Sequence, residues 1–213
     1  MLTYFPSRGL AELLRIVLTD AGVAFAQRSV TTPGADGVPL FDTLRADGTL
    51  AFNSVPLWEE PDGFRLVQSD AILRHLARTY GLYGANAREA ALCDQVHEGT
   101  KDVRAQLARL RTAAPEARAA LRAELESTIL PRWLGHFERL LAAHGTGCFV
   151  GADCTYADLS VWSLLEALVD NGLAGPLGPL PLLTAFQARI AARPNLARYL
   201  ADPARYPAQL LPT

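Results

Sequence analysis

The sequence is poor in the residues that staple or metallate small proteins. Its 213 residues include three cysteines, Cys93, Cys148 and Cys154, an odd number at wide spacing with no CxxC pair. The four histidines are scattered. A disulfide framework and a zinc-type ligand cluster are therefore excluded from the expectation, and no metal is expected. A reducing cytoplasm is the compartment that fits such cysteine usage. Lysine is nearly absent: Lys101 is the single one among 20 Lys plus Arg. The formal net charge of −2 offers no basic surface for a nucleic acid. No apolar run approaches the ~20 residues that span a bilayer. The opening Met1–Pro6 lacks the basic and apolar regions of a secretory leader, so none is expected. No nucleic-acid or membrane partner is expected.

What is present is ample apolar material, half of all residues, enough for one large domain or two modest ones. Leu2–Phe5 reads as a short buried strand stopped by Pro6, with Ser7 placed to cap a following helix. Leu10, Leu13, Leu14, Val17, Leu18 and Ala21 share one face of that helix, and Gly22 ends it. Phe25–Thr31 reads as a second strand. Residues 33–54 are rich in Gly, Asp, Thr and Pro and predict a surface segment with one short helix near Leu40–Leu44. Val55–Trp58 and Phe64–Val67 flank a Pro61-Asp62-Gly63 turn and predict a hairpin. Ile72, Leu73, Leu76 and Tyr80 mark a helix closed by Gly81.

The first 80 residues thus read as a βαβ half followed by a ββα half, an α/β thioredoxin-like arrangement. Residues 88–213 show no strand signal and predict an all-α domain, with 81–87 as the linker. Helical patterns cover 88–112, 117–143, 156–171, 181–192 and 195–201. Pro131 falls inside the second of these, where a helix either restarts or kinks; restart is the expectation, because proline suits a first turn. Thr155 and Asp158 have the spacing of a capping box. Cys154 then reads as an inert packed thiol.

Three places carry chemistry, each with a plainer alternative. Val55-Pro56 heads a strand. A cis proline there would turn the Val55 backbone outward to pair with an extended ligand, whereas an edge-strand proline would do nothing further. Gln68-Ser69 lies between a strand and a helix, where free N–H groups suit a carboxylate; simple capping by Ser69 is the alternative. Tyr4 ends the first strand, at the edge where ligands of α/β sheets gather. Its phenol could hold a thiolate by a hydrogen bond, or could merely pack.

Taken together, Tyr4-Phe5-Pro6-Ser7-Arg8-Gly9, Val55-Pro56, Gln68 through Leu76, Gly81-Leu82-Tyr83-Gly84, the stretch Glu89 to Arg104 and Val150-Gly151…Thr155-Tyr156-Ala157-Asp158 resemble soluble glutathione transferases of the tyrosine type, Pi class foremost. The match runs in order along essentially the whole chain. The Ala-, Leu- and Arg-rich, lysine-poor composition points separately to a bacterial source. The resemblance implies a homodimer that uses glutathione as co-substrate. Tyr4 would be the residue on the sulfur. Gln68 and Ser69 would hold the γ-glutamyl end, Val55 beside Pro56 the cysteinyl part, and Arg8 and Ser54 further parts of glutathione. Asp102 would reach the glutathione of the neighbouring subunit. Phe5, Ser7 and Thr112 would line the electrophile pocket. Phe52, an aromatic plug, and Arg74 and Arg78 would lie in the dimer interface.

The sequence departs from that pattern where Leu10 replaces an arginine and where no Trp or Lys serves the glycyl end, leaving Arg45 as a substitute. Ser7 is a rival thiol activator, since other members of the family use a serine just before the first helix. Glutathione-dependent isomerisation or peroxide reduction, and a non-catalytic binding protein, are the alternative readings of the whole chain.

Overall fold

A computed structural model of the protein describes residues 1–35 and 37–212. Asp36, within the surface segment 33–54, and Thr213, at the end of the helical domain, lie outside the described residues. The chain divides into two compact units. The first is Met1–Tyr80 together with Pro194–Pro207, and the second is Gly81–Arg193 with Ala208–Thr213. The sequence reading placed everything after residue 87 in one helical domain. The difference arises because helix α9 (Pro194–Ala201) packs on α1 (Glu12–Asp20) of the first unit. Leu82 and Tyr83, within the expected linker 81–87, are buried in the second unit.

In the first unit, β1 (Leu2–Tyr4), β2 (Gln27–Ser29), β3 (Leu57–Glu59) and β4 (Arg65–Val67) form one sheet in the order β2-β1-β3-β4. β1 and β2 are parallel; the other pairs are antiparallel. Helices α1 and α3 (Ser69–Thr79) pack together. The short α2 (Leu40–Ala46) falls where the sequence predicts it. Val30, Leu44, Leu50, Val55, Leu57 and Val67 make one buried cluster, with Tyr4 and Phe41 packed on its border. Removing this apolar surface from water is the main force holding the sheet ends together.

The described residues of the second unit hold helices and no strand: α4 (Ala87–Thr112), α5 (Pro115–Glu124), α6 (Leu130–His144), α7 (Tyr156–Asp170) and α8 (Pro181–Ala191). Helix α7 is buried on nearly every face, packed by α4 and α8, as expected of a helix with apolar residues all round. The capping box is formed. The Asp158 carboxylate accepts from the Thr155 N–H at 2.8 Å, the Thr155 hydroxyl at 2.8 Å and the Phe149 N–H at 2.9 Å.

The expected restart at Pro131 does not occur. The backbone stays right-handed helical from α5 into α6 through a π turn, Leu125–Ile129. Proline cannot donate to the carbonyl four residues back and crowds it. The wider π turn immediately before Pro131 absorbs that misfit without ending the helix.

Candidate active site

Strand register brings the chemically interesting residues to one sheet edge. Thr3 pairs with Leu57, and Leu57 with Val67. One step further toward the same edge, the next residues in the three chains are Tyr4, Pro56 and Gln68. Adjacent strands lie about 4.8 Å apart, so the three are gathered across about 10 Å. The segments are 64 positions apart in sequence at their extremes, yet antiparallel pairing of β3 forces the head of β3 to meet the ends of β1 and β4.

Tyr4 is half-buried, its ring edge-on to Phe5 with centroids 5.6 Å apart. Its carbonyl is held by the Val30 N–H at 3.1 Å. The phenolic oxygen accepts a hydrogen bond from the Leu10 N–H at 3.0 Å. Among the described residues the hydroxyl donates to no partner, so its proton is available. The approach requires Gly9: φ is +42° there, and a Cβ would meet the Tyr4 hydroxyl at 2.5 Å. This donor to the phenol was not found by the sequence reading. The Tyr-x₄-Gly spacing before an apolar helix was its only trace.

Ser7 does not cap a helix. A 3₁₀ turn, Gly9–Ala11, precedes α1, and Arg8 occupies its cap position with no side-chain cap bond. The Ser7 carbonyl instead accepts from the buried Arg15 guanidinium at 3.0 Å. The Arg8 Nε donates to the Tyr206 carbonyl at 2.7 Å. Leu10, standing where the resemblance has an arginine, is exposed.

The Val55-Pro56 peptide is cis. Val55 and Pro56 are buried and Ser54 is half-buried. No other backbone group among the described residues bonds to the Val55 N–H or carbonyl. Gln68 is the cap residue of α3 and is exposed, with φ +73° and ψ 112° and no side-chain cap bond. Such a conformation in a residue with a side chain costs about 1–3 kcal/mol and persists only where the surroundings impose it. Ser69 is the first helical residue, half-buried, and does not cap the helix. The first-turn N–H groups of this eleven-residue helix thus lie beside an uncommitted Gln68 amide, a setting that favours an anionic group.

The remaining expected residues are more scattered. Phe5 is 42% exposed and sits 6.1 Å from the Phe41 ring. Phe52, between α2 and β3, is 67% exposed. Arg74 is half-buried and Arg78 exposed on α3. Arg45 is exposed and pairs with Asp42 at 3.1 Å. In the second unit, Asp102 is exposed on α4, and Thr112 ends that helix with its hydroxyl donating to the Ala108 carbonyl at 3.1 Å.

None of the cysteines is set up as a nucleophile. Cys93 is fully buried in the second unit, and burial pushes its thiol up to about 11. Cys148 is buried and raised for the same reason. Cys154 is half-buried, with its thiol 3.8 Å from the Thr155 carbonyl.

A mixed four-stranded sheet with a cis proline at a strand head, followed by a helical unit, defines a thioredoxin-like fold joined to an all-helical second unit. A family model described as "Glutathione S-transferase, C-terminal domain" matches residues 101–203. The chain is 36% identical over 200 residues to glutathione S-transferase A2 of Mus musculus, covering 94% of this chain and 87% of that one. It is 35% identical over 201 residues to glutathione S-transferase A1 of Homo sapiens, covering 93% and 86%. Among solved structures, the Pi-class glutathione S-transferase of Onchocerca volvulus superposes with a TM-score of 0.82 at 34% identity, covering 98% of this chain and 96% of the other. The chain belongs to the glutathione S-transferase family.

Proposed function

We propose that this chain is a glutathione transferase in which Tyr4 activates the glutathione thiol for attack on small hydrophobic electrophiles. The observation that carries the reading is the Tyr4 hydroxyl. Its oxygen accepts from the Leu10 N–H at 3.0 Å while its own proton is uncommitted. Donation from the amide polarises the O–H and makes it a stronger donor. A sulfur anion receiving that bond is favoured over the thiol, so its pKa falls. The thiol proton leaves to solvent. The thiolate then forms a bond to the electrophilic carbon, and the leaving group departs with the displaced electron pair.

The binding reading follows the sheet edge. The α3 N-terminus with Gln68 and Ser69 takes the γ-glutamyl carboxylate, and the Val55 backbone, without a backbone partner among the described residues, takes the cysteinyl part. Arg8 and Ser54 serve the rest of the tripeptide, and Phe5 and Ser7 flank the electrophile. Phe52, Arg74 and Arg78 form a homodimer interface, across which Asp102 reaches the second subunit's glutathione. An exposed Phe52 supports this, since a large exposed aromatic is the kind of residue that anchors an interface. The enzyme works in the cytoplasm without a metal, is of the tyrosine type nearest the Pi class, and comes from a bacterium.

Conjugation of glutathione to a chlorinated nitrobenzene by the purified protein tests the activity. Tyr4→Phe is expected to lower kcat by about 10²–10³, the usual cost of losing one such donor. Near-normal turnover of that variant would transfer the role to Ser7. Retention on glutathione resin with no turnover in the parent protein would make it a binding protein instead.

A further inference from the structure

Behind the loop that presents Leu10 to Tyr4 lies a buried polar cluster. Arg15 on α1 is 2% exposed. Its Nε donates to Gln27 Oε1 at 2.6 Å. Its Nη1 lies 3.0 Å from the Ser7 carbonyl, 3.1 Å from the Arg8 carbonyl and 3.1 Å from Glu12 Oε2. Its guanidinium carbon stands 4.8 Å over the Tyr206 ring. Glu12, 6% exposed, also accepts from the Tyr199 hydroxyl at 3.0 Å and from Arg205 at 2.8 Å. The Arg8 Nε completes the circuit on the Tyr206 carbonyl. The charged and titratable groups facing this loop are therefore Tyr4 from β1, Arg8 from the loop itself, Glu12 and Arg15 from α1, and Tyr199, Arg205 and Tyr206 from α9 and the segment after it.

A guanidinium is a rigid planar fork. Holding two successive carbonyls, it fixes the direction of the chain from Ser7 into the 3₁₀ turn. The same turn delivers the Leu10 N–H to Tyr4. We infer that Arg15 is a positioning residue for thiol activation, and that the C-terminal segment, through Tyr199, Arg205 and Glu12, completes its clamp on the Ser7–Arg8 loop. The inference rests on Tyr4 as the activating group. The tail is thereby part of the catalytic apparatus without touching substrate.

The test is the ultraviolet titration of the bound glutathione thiolate, together with glutathione Kd and kcat against pH. Arg15→Lys and Arg205→Lys keep the charge and lose the fork. Each is expected to raise the pH midpoint of thiolate formation by about one unit, the scale on which a hydrogen bond to the charged form moves a pKa. The kcat deficit should disappear at alkaline pH, and Kd should change less than about threefold, under 1 kcal/mol. Lower thermal stability with an unchanged midpoint would overturn the inference. Should Arg15→Lys not fold, Tyr199→Phe removes a single hydroxyl and is expected to shift the midpoint in the same direction by less; no shift overturns the inference equally. Tyr4→Phe separates the two levels. If it raises the midpoint and the clamp variants do not, the clamp fails alone; if it leaves the midpoint unchanged, the Tyr4 reading itself fails.

Discussion

Gly9 and Tyr4 are in such close approach that a single methyl group cannot be inserted between them: a Cβ on Gly9 would lie 2.5 Å from the phenolic oxygen. The contact is with an aromatic ring packed on the core, so neither partner moves cheaply. Gly9→Ala is expected to displace the ring, lower kcat/KM at least about tenfold and destabilise the fold by about 1–3 kcal/mol, the cost of a side chain at positive φ. Conjugation kinetics and thermal unfolding of the same preparation measure both. Parental kinetics would mean that the Tyr4 position is not critical.

Gln68 offers a contrasting case. Its φ of +73° is one that glycine adopts freely. Gln68→Gly is expected to gain about 1 kcal/mol in stability after the added unfolded-state entropy of glycine is set against the relieved strain. The same change should raise KM for glutathione with little effect on kcat, because the amide acts in binding. A rise in Tm together with weaker binding is the expected signature; a fall in Tm would show that the conformation carries no strain.

Much of this was legible before the structure. Apolar periodicity located the helices, and Thr155 and Asp158 read as a capping box because the motif is local. The sheet edge was partly legible: Tyr4, Val55-Pro56 and Gln68-Ser69 stand at strand ends, but it takes the antiparallel register of β3 with β1 and β4 to put those ends on one edge. The Leu10 N–H on Tyr4 was not legible, since any residue at position 10 has an amide and only Gly9 hints at the close approach. The Glu12–Arg15 cluster was hidden for another reason. On the helix Arg15 lies off the apolar stripe, where a charged residue reads as solvent-facing, and what lets it be buried is a carbonyl pair and a distant tail. The π turn before Pro131 was missed because a proline in a helical pattern signals an interruption without saying which kind.

Asp158 anchors the second unit. Asp158→Ala leaves three buried donors without an acceptor. A lost cap costs about 1 kcal/mol, and each buried unmet donor costs about 1–3 kcal/mol. With partial relaxation the expected loss is about 2–4 kcal/mol, read by denaturant unfolding. Activity per folded molecule at low temperature should be unchanged. A loss below about 1 kcal/mol would show that the box is ornamental.

Cys93 gives a pH dependence with a definite sign. Burial raises its folded pKa from 9.0 to about 11. Between those values the unfolded chain releases the thiol proton while the folded chain keeps it. Rising pH therefore favours unfolding. The stabilising difference is fully present below pH 9 and is lost as pH climbs toward 11. Denaturation midpoints of the parent should fall more steeply over that window than those of Cys93→Ala. Parallel curves would mean that the thiol ionises as easily folded as unfolded.

The most direct measurement is a crystal structure of the glutathione complex at high resolution. The tyrosine account predicts the sulfur within hydrogen-bonding distance of the Tyr4 hydroxyl, with the Leu10 N–H still on the phenolic oxygen. A sulfur seated on the Ser7 hydroxyl, or a Tyr4 ring turned from the ligand, would contradict it.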